Sequence, residues 1–240
     1  MKYKQALAGV AAIAALSSAH AQSAHTFYVT TGWFRFMPQD SSDPLTLDSV
    51  AGTPINMSVP NTGTGIDSAD TLGISGGYFI TDHIATELEL GIPPQFNLNG
   101  QGSYAQYGKL GSARLWAPAL LFKYYFNQPD AKFRPYAGIG VTYAWFTDAK
   151  ITNGAFEQQQ LRGPTSVSTD RSWAPVFNVG FNYAFTKHWF AGFSVSYIPI
   201  GVTAKLSTTV PSQVGPLQQE SEAKIRLDPI VTYLKVGYMF

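Results

Sequence analysis

The sequence predicts an all-β fold, an eight-stranded antiparallel transmembrane β-barrel with short periplasmic turns and long extracellular loops. About eight segments alternate apolar and polar residues with the period of two that is typical of strands. The connections between these segments alternate between long and short, as they do in outer-membrane barrels. The last segment has one apolar face and ends on Phe240, and a closed barrel can turn such a face toward lipid. The composition alone would also allow a secreted β-sandwich, but long and short connections are not expected to alternate in that fold.

The N-terminus predicts a secretory signal peptide over residues 1–21. Two lysines lie within the first four residues, segment 6–16 is apolar and rich in alanine, and Ala19-His20-Ala21 fits a small-x-small cleavage site. We therefore expect export through the general secretory route to the outer membrane of a Gram-negative cell, with 22–240 as a single outer-membrane β-barrel domain. Loss of the two lysines changes the formal charge from +1 to −1, which argues against nucleic-acid binding.

After the signal peptide, the apolar residues occur in short alternating segments and not in one long run. No apolar run reaches the ~18–20 residues that a membrane-spanning helix needs. The sequence has no cysteine, so barrel closure and not a disulfide is the expected source of stability. The predicted strands span residues 26–37, 68–80, 83–92, 114–126, 133–146, 173–185, 189–202 and 225–240.

The connections divide into two classes by length. Three of them are predicted as short periplasmic turns, and four are long and rich in Gly, Pro, Ser, Thr, Asn and Gln. Segment 78–85 parallels segment 183–190, since each has Tyr followed by an apolar residue, Thr, a charged residue and His, and this predicts two equivalent hairpin turns. The short connections are 81–82, 127–132 and 186–188, and the long ones are 38–67, 93–113, 147–172 and 203–224.

Alternation also assigns the two faces of the predicted barrel. In the last strand, Leu234, Val236, Tyr238 and Phe240 form an apolar row that is expected to face lipid, whereas Lys235 faces the lumen. We expect this outer surface to contact outer-membrane lipid and lipopolysaccharide. The strand that ends in Phe240 is expected to engage the barrel-assembly machinery.

The lumen of an eight-stranded barrel is too narrow for a general porin and is either filled by side chains or able to hold one small ligand. Toward the periplasm, the inward positions include opposed charges, which predict a hydrogen-bonded polar floor; a proton or ion path is the alternative. This floor comprises Glu87, Glu89, Lys123, Arg134 and Lys235.

Toward the outside, the inward positions become apolar, and an apolar cavity above a polar floor suits a small hydrophobic ligand. A packed core without a ligand is the alternative. Strict alternation assigns Trp173 to the outer aromatic belt, although a position just beyond the membrane would also let it cap the cavity. The predicted apolar lining comprises Ala117, Ala119, Leu121, Phe146, Val176, Ile198 and Leu227.

Three prolines predict a gap in the barrel wall. Pro93 and Pro94 end the third strand and Pro118 lies in the fourth, and none of them can donate a backbone hydrogen bond to a neighbouring strand. A ligand that cannot pass the charged floor would leave sideways through this gap into the bilayer. The alternative is that these prolines only protect the junctions between strands and loops.

Catalysis would need a nucleophile beside a base or a set of metal ligands. His83 and His188 fall in predicted periplasmic turns where no serine cluster meets them, and no His-x-x-x-His or cysteine motif occurs. We therefore predict that the protein is not an enzyme and that it has no metal site and no cofactor.

Several segments resemble the OmpW family of outer-membrane proteins. Trp116–Phe126 is similar to the fourth strand of that family, and Lys132–Gly140 is similar to the next strand. Ser172-Trp173, Arg226–Pro229 and Gly237–Phe240 recur in the same order. The similarity covers essentially the whole mature chain and is weakest in the first and third long loops.

This resemblance implies a hydrophobic channel for passive uptake of small apolar compounds; close relatives include alkane-uptake proteins. Trp173 matches a family tryptophan associated with the channel constriction, which favours the cavity over the outer belt for this residue. Some family members serve as bacteriocin receptors, so the alternative function is a structural or receptor barrel for a bacteriocin or phage. The first loop departs most from the family, and the identity of the ligand is therefore not implied.

Overall fold

A computed structural model describes residues 22–39, 41–213 and 215–240. The predicted signal peptide, residues 1–21, lies outside the described residues. No helix in the described ranges is both long enough and apolar enough to cross a membrane.

Most of the described chain is β-strand, and the helical structure consists of three short turns, Ala105–Tyr107, Gly154–Phe156 and Glu157–Leu161. The strands, in chain order, are β1 (Phe27–Met37), β2 (Ser41–Ser42), β3 (Thr46–Val50), β4 (Thr53–Ser58), β5 (Thr62–Ile66), β6 (Ala69–Phe79), β7 (Ile84–Gly91), β8 (Gln95–Gly102), β9 (Lys109–Trp116), β10 (Ala119–Tyr125), β11 (Phe133–Ile151), β12 (Thr165–Thr169), β13 (Ser172–Ala184), β14 (Trp189–Tyr197), β15 (Gly201–Val210), β16 (Leu217–Arg226) and β17 (Ile230–Met239).

Eight of these strands form a closed antiparallel barrel, which confirms the predicted fold. Around the wall the order is β10, β7, β6, β1, β17, β14, β13 and β11, and the pairing of β10 with β11 closes the circle. The first and last strands of the chain are neighbours, with Tyr28 opposite Met239 and Met37 opposite Ile230. Closure leaves this part of the sheet without a free edge.

The long connections are not simple loops, because they contain the other nine strands. Strands β5, β8 and β9 extend the wall above β11, and β2, β3, β4, β12, β15 and β16 form a second sheet. Three of the predicted strands, 114–126, 189–202 and 225–240, are each divided into two strands in the structure. The divisions lie at Pro118, Pro199 and Pro229, because proline cannot donate a hydrogen bond to a neighbouring strand.

The two similar turn sequences form the same structure, as predicted. In one turn, the Thr81 hydroxyl accepts hydrogen bonds from the backbone N–H of His83 and Ile84, over 3.2 and 3.0 Å. The Thr186 hydroxyl does the same in the other turn, also over 3.2 and 3.0 Å. In each, Nδ1 of the turn histidine lies 2.8 Å from a carbonyl oxygen of the adjacent strand.

The two faces of the wall differ in composition as predicted. Outward side chains of the strands are mostly large and apolar, and many are exposed, such as Ile139, Leu234 and Val236. The charged side chains of the barrel lumen, such as Lys123 and Lys235, are buried. A lipid-embedded barrel requires an exposed apolar outer surface and allows charged side chains in its lumen.

Candidate functional site: the two halves of the lumen

Paired charges fill the lower half of the lumen. Nζ of Lys123 lies 2.8 Å from Oε2 of Glu87 and 3.3 Å from Oε1 of Glu89. Nζ of Lys235 lies 3.0 Å from Oε1 of Glu87, and the side chains of Glu87, Lys123 and Lys235 have no exposed surface. Two carboxylates and two ammonium groups balance, and buried ions are tolerated when they are paired in this way.

Hydroxyl groups satisfy the remaining capacity of the central carboxylate. The Tyr28 hydroxyl donates to Oε2 of Glu87 over 2.6 Å, and Oγ of Ser75 donates to Oε1 over 2.8 Å. Oγ1 of Thr30 lies 2.6 Å from Oγ of Ser75 and 2.9 Å from the hydroxyl of Tyr233. This connected network favours the hydrogen-bonded plug over an open ion path.

Arg134 lies outside this charge cluster, which corrects its predicted grouping with the other charged residues. Its guanidinium donates to three backbone carbonyl oxygens, those of Asn127 over 3.1 Å, Gln22 over 2.6 Å and Asp82 over 2.5 Å. Because these carbonyls belong to the N-terminal segment and two periplasmic turns, Arg134 ties together the periplasmic end of the barrel. Alternation placed it correctly in the lumen but contained no information about its partners.

An aromatic pair covers the charge cluster from above. The rings of Phe34 and Tyr233 stack with centroids 3.9 Å apart and an interplanar angle of 16°. Gly73 makes room for the Phe34 ring, because a side chain at that position would overlap it. The Tyr233 hydroxyl joins the polar network through Thr30, while its ring belongs to the apolar core. The polar and apolar halves of the lumen therefore meet at Tyr233.

Above this aromatic pair, the upper barrel contains an apolar cavity of about 120 Å³. Phe156, in a short helical turn after β11, contributes to its roof and contacts Tyr104 and Tyr107 edge-on, with ring centroids 5.0 and 5.5 Å apart. The wall combines the upper ends of barrel strands with extracellular strands and includes Phe36, Phe96, Leu115, Phe146, Leu206 and Leu227.

The cavity lies higher than the sequence predicted. Of the predicted lining residues, only Phe146 and Leu227 lie in its wall. Sequence analysis missed most of the wall because it treated the long connections as loops, although residues 202–208 bury every second side chain. The other predicted residues pack in the apolar core, namely Ala119, Leu121, Val176 and Ile198, with Ala117 against it.

The prediction that Trp173 lines the cavity is wrong. Its side chain is 70% exposed, and its ring lies on the outer wall with its centroid 4.7 Å from that of Tyr143. The next two inward side chains, Ala174 and Val176, are buried. Strict alternation along β13 therefore determines the direction of Trp173, and the role carried over from the family does not apply to it.

The ladder of backbone hydrogen bonds is interrupted beside the three prolines. Pairing of β7 with β10 ends at Glu89 opposite Ala119. Backbone pairing resumes where the N–H of Leu115 donates to the carbonyl of Pro94 over 3.1 Å. Residues 90–93 and 116–118, which include Pro93 and Pro118, form no strand pairing with each other.

Within the ranges that the structure describes, no group of three or more His, Cys, Asp or Glu side chains is placed to hold a metal ion. His83 and His188 bond to backbone carbonyls in the periplasmic turns. The candidate site therefore comprises the cavity, its charged floor and the interrupted wall.

A closed eight-stranded barrel with an apolar outer face and a lumen divided in this way defines an outer-membrane β-barrel protein. The model of the OmpW family matches residues 23–240, and the chain belongs to that family. It is 31% identical over 240 residues to outer membrane protein W of Vibrio cholerae serotype O1, covering 99% of this chain and 100% of the relative. It is also 28% identical to outer membrane protein AlkL of Ectopseudomonas oleovorans, over 76% of this chain and 71% of that protein.

A solved structure agrees with this assignment. The crystal structure of the outer membrane protein OprG from Pseudomonas aeruginosa superposes with a TM-score of 0.78 at 26% identity, covering 93% of this chain and 99% of that one. The outer membrane of a Gram-negative bacterium is therefore the location of this protein, as the sequence predicted.

Proposed function

We propose that this barrel binds small hydrophobic molecules from outside the cell and admits them passively to the outer membrane. The observation that carries this proposal is the apolar cavity of about 120 Å³ above a paired, charged floor. Such a cavity retains an apolar molecule and offers little to a sugar or an ion. The proposed function is passive transport, which involves no covalent step and no cofactor.

We further propose that the bound molecule leaves sideways through the wall. The Phe34–Tyr233 pair and the charge cluster lie between the cavity and the periplasm. The interrupted ladder supports a lateral route, because Leu115 lines the cavity and is also where strand pairing resumes above the interruption. On the outer surface, exposed Leu90 and Ile92 border the same place, so the route would end at an apolar surface.

The remaining partners follow from this role. Mature residues 22–240 act as one barrel domain in contact with outer-membrane lipid and lipopolysaccharide. The strand that ends in Phe240 is the proposed contact with the barrel-assembly machinery during insertion.

Uptake is tested with vesicles that contain lipopolysaccharide in their outer leaflet. Vesicles carrying the purified barrel should take up a small apolar fluorescent dye faster than vesicles without protein. The variant Leu206→Gln, which places an amide in the cavity wall, should lower the rate. Equal rates with and without the barrel would contradict the proposal.

The lateral route has its own test. Ala117→Gln introduces a bulky polar side chain beside the interruption, and it should abolish dye uptake while the barrel still folds. Thr203→Gln is the matched control, since Thr203 is half-buried on a continuous ladder opposite Lys224. Unchanged uptake by Ala117→Gln would contradict the lateral route but not the proposal that the cavity binds the molecule.

A receptor function for a bacteriocin or phage is the second candidate. The extracellular sheet formed by β2–β4, β12, β15 and β16 favours it, because this sheet presents an ordered surface to the outside. Dye uptake equal to that of empty vesicles, together with phage or bacteriocin resistance in a strain lacking the protein, would favour the receptor.

A further inference from the structure

Four aromatic side chains form a continuous patch on the outer wall at the extracellular end of the barrel. The rings of Trp116 and Trp145 stack with centroids 5.7 Å apart and an interplanar angle of 4°. The Tyr143 ring lies 5.5 Å from that of Trp145 and 4.7 Å from that of Trp173. Trp116 is opposite Trp145 on β9 and β11, and Tyr143 is opposite Trp173 on β11 and β13, so the patch crosses three adjacent strands.

This patch lies where the lipid-facing surface of the barrel ends. Trp116 is 42% exposed and Trp173 is 70% exposed. Toward the periplasm, the same outer face continues with exposed apolar side chains, including Leu120, Val141 and Phe177. Aromatic rings at such a boundary are placed at the level of lipid headgroups.

Two arginines lie directly on the extracellular side of the patch. Arg114 in β9 precedes Trp116 by two residues, and Arg171 precedes Trp173 by two residues, just before β13 begins. Both arginine side chains are exposed. Nε of Arg114 lies 3.3 Å from Oδ2 of Asp148, but both side chains are largely exposed, so an anion can replace this carboxylate at little cost. Arg171 has no ion-pair partner among the residues that the structure describes.

We propose that this patch is a binding site for lipopolysaccharide, the phosphorylated glycolipid of the outer leaflet. The phosphates would lie on Arg114 and Arg171, because guanidinium groups bind phosphate through paired hydrogen bonds. The sugar rings would lie over the tryptophans, and the acyl chains would follow Leu120 and its neighbours. Basic side chains next to a lipid surface attract anionic headgroups in the same way.

The spacing of the two arginines distinguishes this lipid from an ordinary phospholipid. Arg114 belongs to β9, and Arg171 immediately precedes β13. Because β11 separates these two strands, the arginines are at least two strand spacings apart, about 10 Å. A headgroup with a single phosphate would reach one arginine at a time. A disaccharide that carries a phosphate at each end can engage both.

Arg35 provides a matched control within the same molecule. It also lies on the outer face near the extracellular end of a barrel strand, and its Nη1 is 3.2 and 3.3 Å from the two carboxylate oxygens of Asp70. Trp33, the next outward residue toward the periplasm, has no stacked aromatic partner among the described residues. Arg35 therefore carries the same charge as Arg114 and Arg171 near the extracellular end of the barrel, but it has no aromatic patch beside it.

The experiment measures binding of lipid A to the full mature chain in detergent by native mass spectrometry. The wild-type protein should prefer diphosphoryl lipid A to monophosphoryl lipid A and to phosphatidylglycerol. The double variant Arg114→Gln/Arg171→Gln should lose about tenfold in affinity for diphosphoryl lipid A and should lose this preference. Arg35→Gln should bind like the wild type.

Three results would overturn the proposal: no preference of the wild type for the diphosphoryl form, unchanged binding by the double variant, or an equal loss in Arg35→Gln. Folding of each variant is verified by its heat-dependent migration in gel electrophoresis. If the double variant does not fold, the single variants Arg114→Gln and Arg171→Gln make the same test, each with a smaller expected loss.

Discussion

The two halves of the lumen differ in what occupies them: paired charges fill the lower half, and apolar side chains surround a cavity in the upper half. In the lower half, the side chains of Glu87, Lys123 and Lys235 have no exposed surface and pair over 2.8 and 3.0 Å. In the upper half, large apolar side chains leave a cavity of about 120 Å³. Buried ions must be neutralised at close range, whereas a cavity lined mostly by apolar side chains needs no such pairing. The comparison shows that the charged floor and the apolar cavity lie at different heights of one barrel.

Removal of the central carboxylate is the strongest test of the lower half. Glu87→Gln leaves Lys123 and Lys235 without their shared partner, and we expect a loss of about 3–5 kcal/mol in the free energy of unfolding. Urea unfolding in phospholipid vesicles, followed by tryptophan fluorescence, measures this loss. Glu89→Gln is the control and should cost less, because Lys123 keeps its 2.8 Å contact with Glu87. A larger loss in Glu89→Gln would mean that Glu89, and not Glu87, is the main partner of the two lysines.

Val236→Arg tests the assignment of the two faces, because it places a charge on the lipid-facing row. We expect a loss of about 2–4 kcal/mol, the cost of an arginine near the middle of the bilayer. Lys235→Gln should cost less, since Glu87 keeps Lys123 and two hydroxyl donors. The same unfolding measurement compares the two variants, and equal damage would indicate that the faces are reversed.

Truncation of one leucine in each region compares the stability that the packed core and the cavity wall contribute. Leu121 is fully buried in the packed apolar core, whereas Leu206 lines the cavity. Leu121→Ala should destabilise the protein more than Leu206→Ala by about 1–2 kcal/mol, because truncation costs more where the surroundings are tightly packed. Both are measured by urea unfolding. An equal cost would show that the cavity is filled in the folded protein.

Tyr233→Phe should have the smallest effect, since it removes only the hydroxyl that joins the two halves. The loss of its 2.9 Å hydrogen bond with Thr30 is expected to cost about 1 kcal/mol. Dye uptake should be unchanged, because the ring stays stacked on Phe34. A marked change in uptake would mean that the polar network reaches the cavity.

The fold was predictable because a barrel wall imposes alternation directly on the sequence. The matched turns at Thr81 and Thr186 were also predictable, since a turn depends on a few adjacent residues. The long connections were not predicted correctly. Strands β8, β15 and β16 are more polar than most strands of the wall. Part of their pairing also depends on partners distant in the sequence, as for β16 with β3.

The candidate site was predictable only in part. The inward direction of Glu87, Glu89, Lys123 and Lys235 followed from alternation, and so did the outward direction of Trp173. The height of each residue within the lumen did not, because height depends on strand register.

By itself, the sequence determined which side chains face lipid and which face the lumen, since alternation along a strand is a local property. It also determined the number of wall strands and their periplasmic turns. Only the tertiary structure decided that Arg134 hydrogen-bonds to backbone carbonyls, that Phe34 and Tyr233 cover the charge cluster, and that extracellular strands contribute to the cavity wall. These features depend on register between strands and on contacts across the lumen, which join residues up to about two hundred positions apart, as Thr30 and Tyr233 are.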